Sequence, residues 1–217
     1  MLEVAPPRSA APALALLVRH GRTSTTGKVL PGRAPGLHLS DKGRDQAART
    51  AQRIAALARP PVAVYASPLE RAVETAKPIA AALGLRVRID RGLLECDFGE
   101  WTGARLSTLR RRRQWRSVQL QPSTFRFPGG ESFAEMQTRM VAALDRLAGA
   151  HGGQTFVAVS HADPIKAAVA ATAGIPLDLF QRLVVSPCSV TAMVRGEGAL
   201  FLLCVNATTG LEELTLS

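Results

Sequence analysis

Ala13-Leu14-Ala15-Leu16-Leu17-Val18-Arg19-His20-Gly21 passes directly from six apolar residues into a guanidinium, an imidazole and a glycine. A short apolar run without polar alternation marks a strand covered on both faces, as parallel sheets require. Its carboxyl end carries Arg19 and His20, and that is the edge at which α/β sheets hold ligands. The pattern recurs twice: residues 62–66 lead into Ser67-Pro68, and residues 155–160 lead into His161.

Between these runs the apolar period becomes helical. Ser40 precedes residues 41–58, where Ala47, Ala51, Ile54, Ala55 and Ala58 share one face and Pro60-Pro61 follows. Residues 69–83 predict a second helix, closed by Gly84 and kinked at Pro78, and residues 86–90 a short strand. Ser132 and Glu135 form a capping box after the Pro128-Gly129-Gly130 turn and open a helix to about Ala148. Asp163 and Pro164 take the cap and first turn of another, which Gly174 ends. Residues 189–195 and 199–206 predict a hairpin around Gly196-Glu197-Gly198. Strands alternating with helices predict a three-layer α/β/α sandwich with a mostly parallel central sheet. Residues 1–12, rich in Pro and Ala, read as a disordered leader, and residues 13–217 as one domain.

With 217 residues, 47% of them hydrophobic, the chain can bury a sizeable core. No apolar run reaches the roughly 18 residues of a membrane span, because Arg19 and His20 cut off the run that starts at Ala13. Glu3, Pro6, Pro7 and Pro12 break the stretch in which a signal peptide needs a continuous apolar segment. These features point to the cytoplasm. Cys96, Cys188 and Cys204 have no CxxC spacing and no histidine cluster beside them, which argues against a disulfide framework and against a zinc site. Cys96 reads as a small buried filler. The net charge of +10, from 23 Arg and 4 Lys, is compatible with nucleic acid, a membrane surface or an anionic small substrate.

The strand ends choose among these. Arg19-His20, Ser67 with Arg71 one turn further on, and His161 would gather two imidazoles and two guanidiniums at one sheet edge. Arg71 also falls in the first turn of its helix, where free N–H groups favour an anion. A phosphoryl group suits such a cluster, since its charged oxygens need positioning and electrostatic stabilisation, and guanidinium forks match them bidentately. A histidine with a pKa of about 6.5 offers a free ring nitrogen at neutral pH, so neither a metal nor a cofactor is required.

At this point the chain resembles the histidine phosphatase superfamily, the phosphoglycerate mutase-like proteins. The resemblance rests on Leu17-Val18-Arg19-His20-Gly21-Arg22-Thr23, Gly32-Arg33, Leu39-Ser40-Asp41-Lys42-Gly43, Ser67-Pro68-Leu69-Glu70-Arg71-Ala72, Leu94-Glu95-Cys96-Asp97-Phe98-Gly99, Pro128-Gly129-Gly130-Glu131-Ser132 and Val159-Ser160-His161-Ala162-Asp163, in the family's order. It implies that His20 is the nucleophile that becomes phosphohistidine, that Arg19, Arg71 and His161 hold the phosphate, and that Glu95 protonates the leaving oxygen. It also puts Thr23, Arg22, Arg33 and Ala162 against the substrate. A departing alkoxide does need a proton, and Glu95 follows the strand at 86–90 that would bring it to the same edge. Two positions depart from the family: the acidic residue often found after Arg-His-Gly is Arg22 here, and a phosphate-contacting Asn has no counterpart, leaving Thr23, Thr25 or Thr26 to supply a hydroxyl.

The resemblance implies a phosphomonoesterase acting on a small phosphorylated metabolite. A phosphomutase shares the core and stays as the alternative, although only about thirty residues separate Glu95 from the Pro128-Gly129-Gly130 turn, shorter than in the glycolytic mutases, which favours hydrolysis. A non-catalytic binding module is disfavoured because both histidines and Glu95 are present. A nucleic-acid reading would use Arg105 and Arg110-Arg111-Arg112-Arg113 with Trp101 and Trp115. Consecutive arginines on a helix point all round it, which suits a solvated lid better than a phosphate-tracking stripe. His38 and His151 read as loop residues, and a homodimer is compatible with everything above.

Overall fold

The computed structural model describes residues 11–196, 199–211 and 214. In chain order the regular elements are β1 (Ala13–Arg19), α1 (Asp41–Ala55), β2 (Ala63–Ala66), α2 (Glu70–Ala82), β3 (Val87–Ile89), α3 (Leu106–Leu109), α4 (Arg113–Leu120), α5 (Phe133–Ala150), β4 (Thr155–Ser160), α6 (Ala162–Thr172), β5 (Val190–Arg195) and β6 (Leu200–Ala207). The strands form one sheet in the order β3-β2-β4-β1-β5-β6. Its β3, β2, β4 and β1 pairings are parallel, while β5 runs antiparallel to both β1 and β6.

The alternation of β1 builds the three layers. Leu14, Leu16 and Val18 pack with Ile54 of α1 and with Ala72, Ala76 and Ile79 of α2. Ala13, Ala15 and Leu17 point the other way, onto Met140 and Leu144 of α5 and Ile165 and Val169 of α6. Each large apolar side chain buried in this way contributes about 1.5–3 kcal/mol, so layer packing rather than helix propensity holds the elements. A third cluster, with Phe98, Trp101, Phe127, Phe133 and Phe180, roots the segment between Glu95 and α5. No described helix is long and apolar enough to cross a membrane.

Several boundaries differ from the sequence reading. The first helix stops at Ala55, because the chain tightens there and turns Leu57 into the core while Ala58 stays exposed. The strand expected at 86–90 shortens to Val87–Ile89, an edge strand whose Ile89 is 53% exposed. α2 continues through Pro78 to Ala82. The cap of α6 is His161 rather than Asp163, since the extended backbone of His161 ends β4 and starts the helix with no linker. The Ser132–Glu135 capping box is present on α5. Arg110-Arg111-Arg112-Arg113 does not lie on one helix: the run spans the break between α3 and α4, which a Leu106–Arg110 backbone bond closes on one side. β5 and β6 pair as the predicted hairpin, although Glu197 and Gly198 of its turn lie outside the described residues. So does the predicted leader, except Ala11 and Pro12, whose carbonyls accept from the Gly153 N–H at 3.3 and 3.0 Å.

Candidate active site

β4 lies between β1 and β2, in a register that pairs Arg19 with Ser160 and Ala66 with Val159. His20, Ser67 and His161, each one residue past its strand, therefore meet at one edge. The ladders extend to this point: the His20 N–H donates to the Ser160 carbonyl and the Ser67 N–H to the Val159 carbonyl, both at 2.9 Å. The loop after His20 lies tight against the start of α1. A Cβ on Gly21 would come within 2.6 Å of the Gly43 carbonyl oxygen, and one on Gly43 within 2.0 Å of the Arg22 oxygen.

His20 is 6% exposed. Its Nδ1 lies 2.8 Å from the Gly21 carbonyl oxygen, which can only accept, so Nδ1 carries the proton and Nε2 keeps its lone pair. Burial first, then the Arg71 and Arg19 cations, lower the His20 pKa to about 3 and hold the ring neutral. The His161 ring stands 5.2 Å away, tilted by 58°, with Nε2 2.8 Å from the Ser67 hydroxyl. Burial and then Arg71 also push His161 well below the ordinary imidazole range.

Arg71 is fully buried at the second residue of α2 and donates from Nη2 to the Gly32 carbonyl at 2.8 Å. Arg19 donates from Nη1 to the Val185 carbonyl at 2.6 Å. Arg71 Nε and Nη1, Arg19 Nε and His161 Nδ1 are buried without a hydrogen-bond partner in the protein. Buried donors are ordinarily paired, so four orphans on three neighbouring residues describe a cradle for an anion. Glu95 is 7% exposed beside it. Burial and then Asp163 raise its pKa to about 7 against the opposing pull of Arg71, the Cys96 N–H and Arg19, so it can hold a proton at neutral pH.

A cleft of about 510 Å³ opens onto this cluster. Of the residues singled out in the sequence, Arg19, His20, Glu95, Thr23 and Ala162 line it, Thr23 with its hydroxyl 3.0 Å from that of Thr26. Arg22 and Arg33 do not. The Arg22 N–H and carbonyl are pinned by Gln46 and Ser40, which leaves its side chain exposed. Arg33 turns toward the partly buried Glu131 and the Glu95 carbonyl. Of the arginine run, Arg110 lines the cleft, while Arg112 sits over the Trp101 ring at 5.5 Å.

Sequence reasoning missed Lys166, Asp163 and Gln181, which also line the cleft; Lys166 Nζ lies 3.6 Å from Asp163 and 3.2 Å from Gln181. The signal available was the position of Asp163 and Lys166 two and five residues beyond His161. Cys96 is the filler expected of it, fully buried with its thiol pKa raised by that burial. His38 is an exposed partner of Glu74, whereas His151 is buried against Tyr65 at the end of α5.

The model of the histidine phosphatase superfamily (branch 1) matches residues 15–208. Phosphoserine phosphatase 1 of Hydrogenobacter thermophilus is 31% identical over 207 residues, which cover 91% of this chain and 94% of that protein. Solved structures that share the fold include two phosphatases. A mycobacterial glucosyl-3-phosphoglycerate phosphatase superposes with a TM-score of 0.80 at 25% identity, over 90% of this chain and 99% of that one. A phosphoserine phosphatase of Entamoeba histolytica, in complex with phosphoserine, gives 0.81 at 25%, over 92% and 99%.

Proposed function

The chain belongs to the histidine phosphatase superfamily and is a phosphatase, and on that premise we propose that it hydrolyses small phosphate monoesters through a phosphohistidine on His20. The observation that carries this reading is the Nδ1–H bond of His20 to the Gly21 carbonyl, which leaves Nε2 unprotonated as a nucleophile on a ring close to the Arg71 and Arg19 cations.

In the first step His20 Nε2 forms a bond to phosphorus while the ester P–O bond breaks. Arg19, Arg71 and His161 hold the phosphoryl oxygens, whose charge suits their unpaired donors. The departing alkoxide takes the proton of Glu95 and leaves as an alcohol. In the second step the Glu95 carboxylate removes a proton from water, the water oxygen bonds to phosphorus, and the N–P bond breaks. Inorganic phosphate and the starting enzyme result. Ala162, at the first position of α6, adds a helix-terminal N–H to the anion's surroundings.

Beyond the phosphate, the Lys166–Asp163–Gln181 group and Arg110 meet the alcohol part of the substrate. They favour a leaving group that carries charge of its own, in keeping with the phosphoserine and glucosyl-3-phosphoglycerate named for the similar phosphatases.

The test is to trap the intermediate. Labelled substrate quenched without acid should leave base-stable, acid-labile label on His20, and His20→Ala should lose both label and turnover. Label in the His20→Ala protein would refute the mechanism. Running the reaction with an added acceptor alcohol separates hydrolysis from transfer: free phosphate as the dominant product supports a phosphatase, whereas a phosphorylated acceptor as the dominant product would make it a mutase.

A further inference from the structure

We infer that Glu131 is a positioning residue for Glu95, holding Arg33 and Arg139 as a bracket around the backbone that carries it. The inference rests on the assignment of Glu95 as the acid.

Glu95 lies in no regular element. It follows the 3₁₀ turn at Arg91–Leu93 and precedes the one at Gly99–Trp101, so no sheet ladder or helix fixes its backbone. Two guanidiniums do. Arg139 Nη1 donates to the carbonyls of Gly92 at 2.8 Å and Leu94 at 3.0 Å, and its Nη2 reaches the Glu95 carbonyl at 3.4 Å. Arg33 Nε donates to the same Glu95 carbonyl at 2.9 Å.

Both arginines are in turn oriented by Glu131, Arg33 with a longer second contact from Nη1 to Asp97 Oδ2 at 3.5 Å. Glu131 Oε1 accepts from Arg139 Nε at 2.8 Å, and Oε2 accepts from Arg139 Nη2 at 3.0 Å and Arg33 Nη2 at 2.8 Å. Glu131 Oε2 also takes the Asp97 N–H at 3.1 Å, and the Glu131 N–H returns to the Asp97 carbonyl at 2.9 Å. The Glu131 side chain is 16% exposed, so these bonds escape most solvent screening, and planar guanidinium forks transmit orientation well.

The bracket also touches the phosphate side. Gly32, the neighbour of Arg33, accepts from Arg71 Nη2 at 2.8 Å. One short loop therefore contacts both the buried phosphate arginine and the backbone of the acid, and it sets the distance between them. A displacement of about 1 Å at a reacting group can cost on the order of 10²-fold in rate.

The experiment measures kcat/KM for phosphate monoesters graded by leaving-group pKa, from 4-nitrophenyl phosphate to alkyl phosphates, in the wild type, Glu95→Gln, Glu131→Gln and Arg33→Met. Glu131→Gln and Arg33→Met should lose on the order of 10²-fold on alkyl phosphates and far less on 4-nitrophenyl phosphate, steepening the dependence in the same sense as Glu95→Gln. If Glu131→Gln fails to fold, Arg33→Met, which keeps the Glu131–Arg139 pair, decides alone. A uniform loss across the series in both variants, with the dependence still steepened by Glu95→Gln, would reduce Glu131 to a fold staple and overturn the inference. A dependence left unchanged by Glu95→Gln would remove the acid assignment, and the positioning role with it.

Discussion

The rings of His20 and His161 stand 5.2 Å apart at the ends of the adjacent parallel strands β1 and β4, and burial, aided by the Arg71 and Arg19 cations, holds both neutral. In the proposed mechanism His20 needs no deprotonation, which leaves the pH dependence to Glu95.

Burial and then Asp163 push the Glu95 carboxyl up to about 7, whereas burial and then the Arg71 and Arg19 cations push His20 down to about 3. The proton donor is thus present below pH 7 and lost above it. For an alkyl phosphate, kcat/KM should fall as pH rises through about 7, since this quantity reports groups of the free enzyme. A pH profile of Glu95→Gln should lack that decline at a level roughly 10²- to 10⁴-fold lower. The same decline in the variant would assign it to another group.

Arg71 keeps two buried donors without a partner in the protein, a cost that a bound anion relieves. Arg71→Met should therefore raise the stability without phosphate by about 1 kcal/mol or more, read as a higher Tm, while abolishing turnover. Inorganic phosphate at about 100 times its Kd should stabilise the wild type by about 2.7 kcal/mol and the variant hardly at all. Calorimetry with and without phosphate reads both, and an equal phosphate shift in the two proteins would place the anion elsewhere.

The Ser67 hydroxyl fixes the His161 ring through a 2.8 Å bond between buried groups. Ser67→Ala should cost about 1–3 kcal/mol of stability and lower kcat, because the imidazole loses its orienting partner. Denaturant unfolding together with steady-state kinetics checks this. A variant as stable and as fast as the wild type would show that the ring is held by packing alone.

The arginine run divides into residues of different use. Arg110 lines the cleft, whereas Arg113 opens α4 on the exposed side. Arg110→Gln should raise KM for 3-phosphoglycerate more than for phenyl phosphate, and the difference should persist at 0.1 M salt, where steering beyond about 10 Å is screened. Arg113→Gln should change neither KM at that salt. Matching effects of the two substitutions would make the run a general electrostatic surface.

Lys166 is held between Asp163 and Gln181 in the cleft wall. Lys166→Met should lower the ratio of kcat/KM for O-phosphoserine to that for phenyl phosphate by about tenfold, the scale of one charge-assisted contact. An unchanged ratio would remove Lys166 from substrate selection.

Local sequence determined the elements and the residues at their ends. The apolar run at β1, the capping box of α5 and the strand-terminal Arg19-His20, Ser67 and His161 are all readable, because periodicity and caps follow from backbone geometry within a few residues. Tertiary structure alone decided what the long charged side chains do. Arg33, read as a substrate contact, reaches Glu131 98 positions away, and Arg22, read likewise, is turned to solvent by backbone bonds to Ser40 and Gln46. A guanidinium on a flexible stem pairs with whichever carboxylate or carbonyl the packed chain brings within reach. That proximity depends on β4 inserting between β1 and β2 and on the close seating of the 128–131 turn against Asp97, neither of which is written in any local pattern.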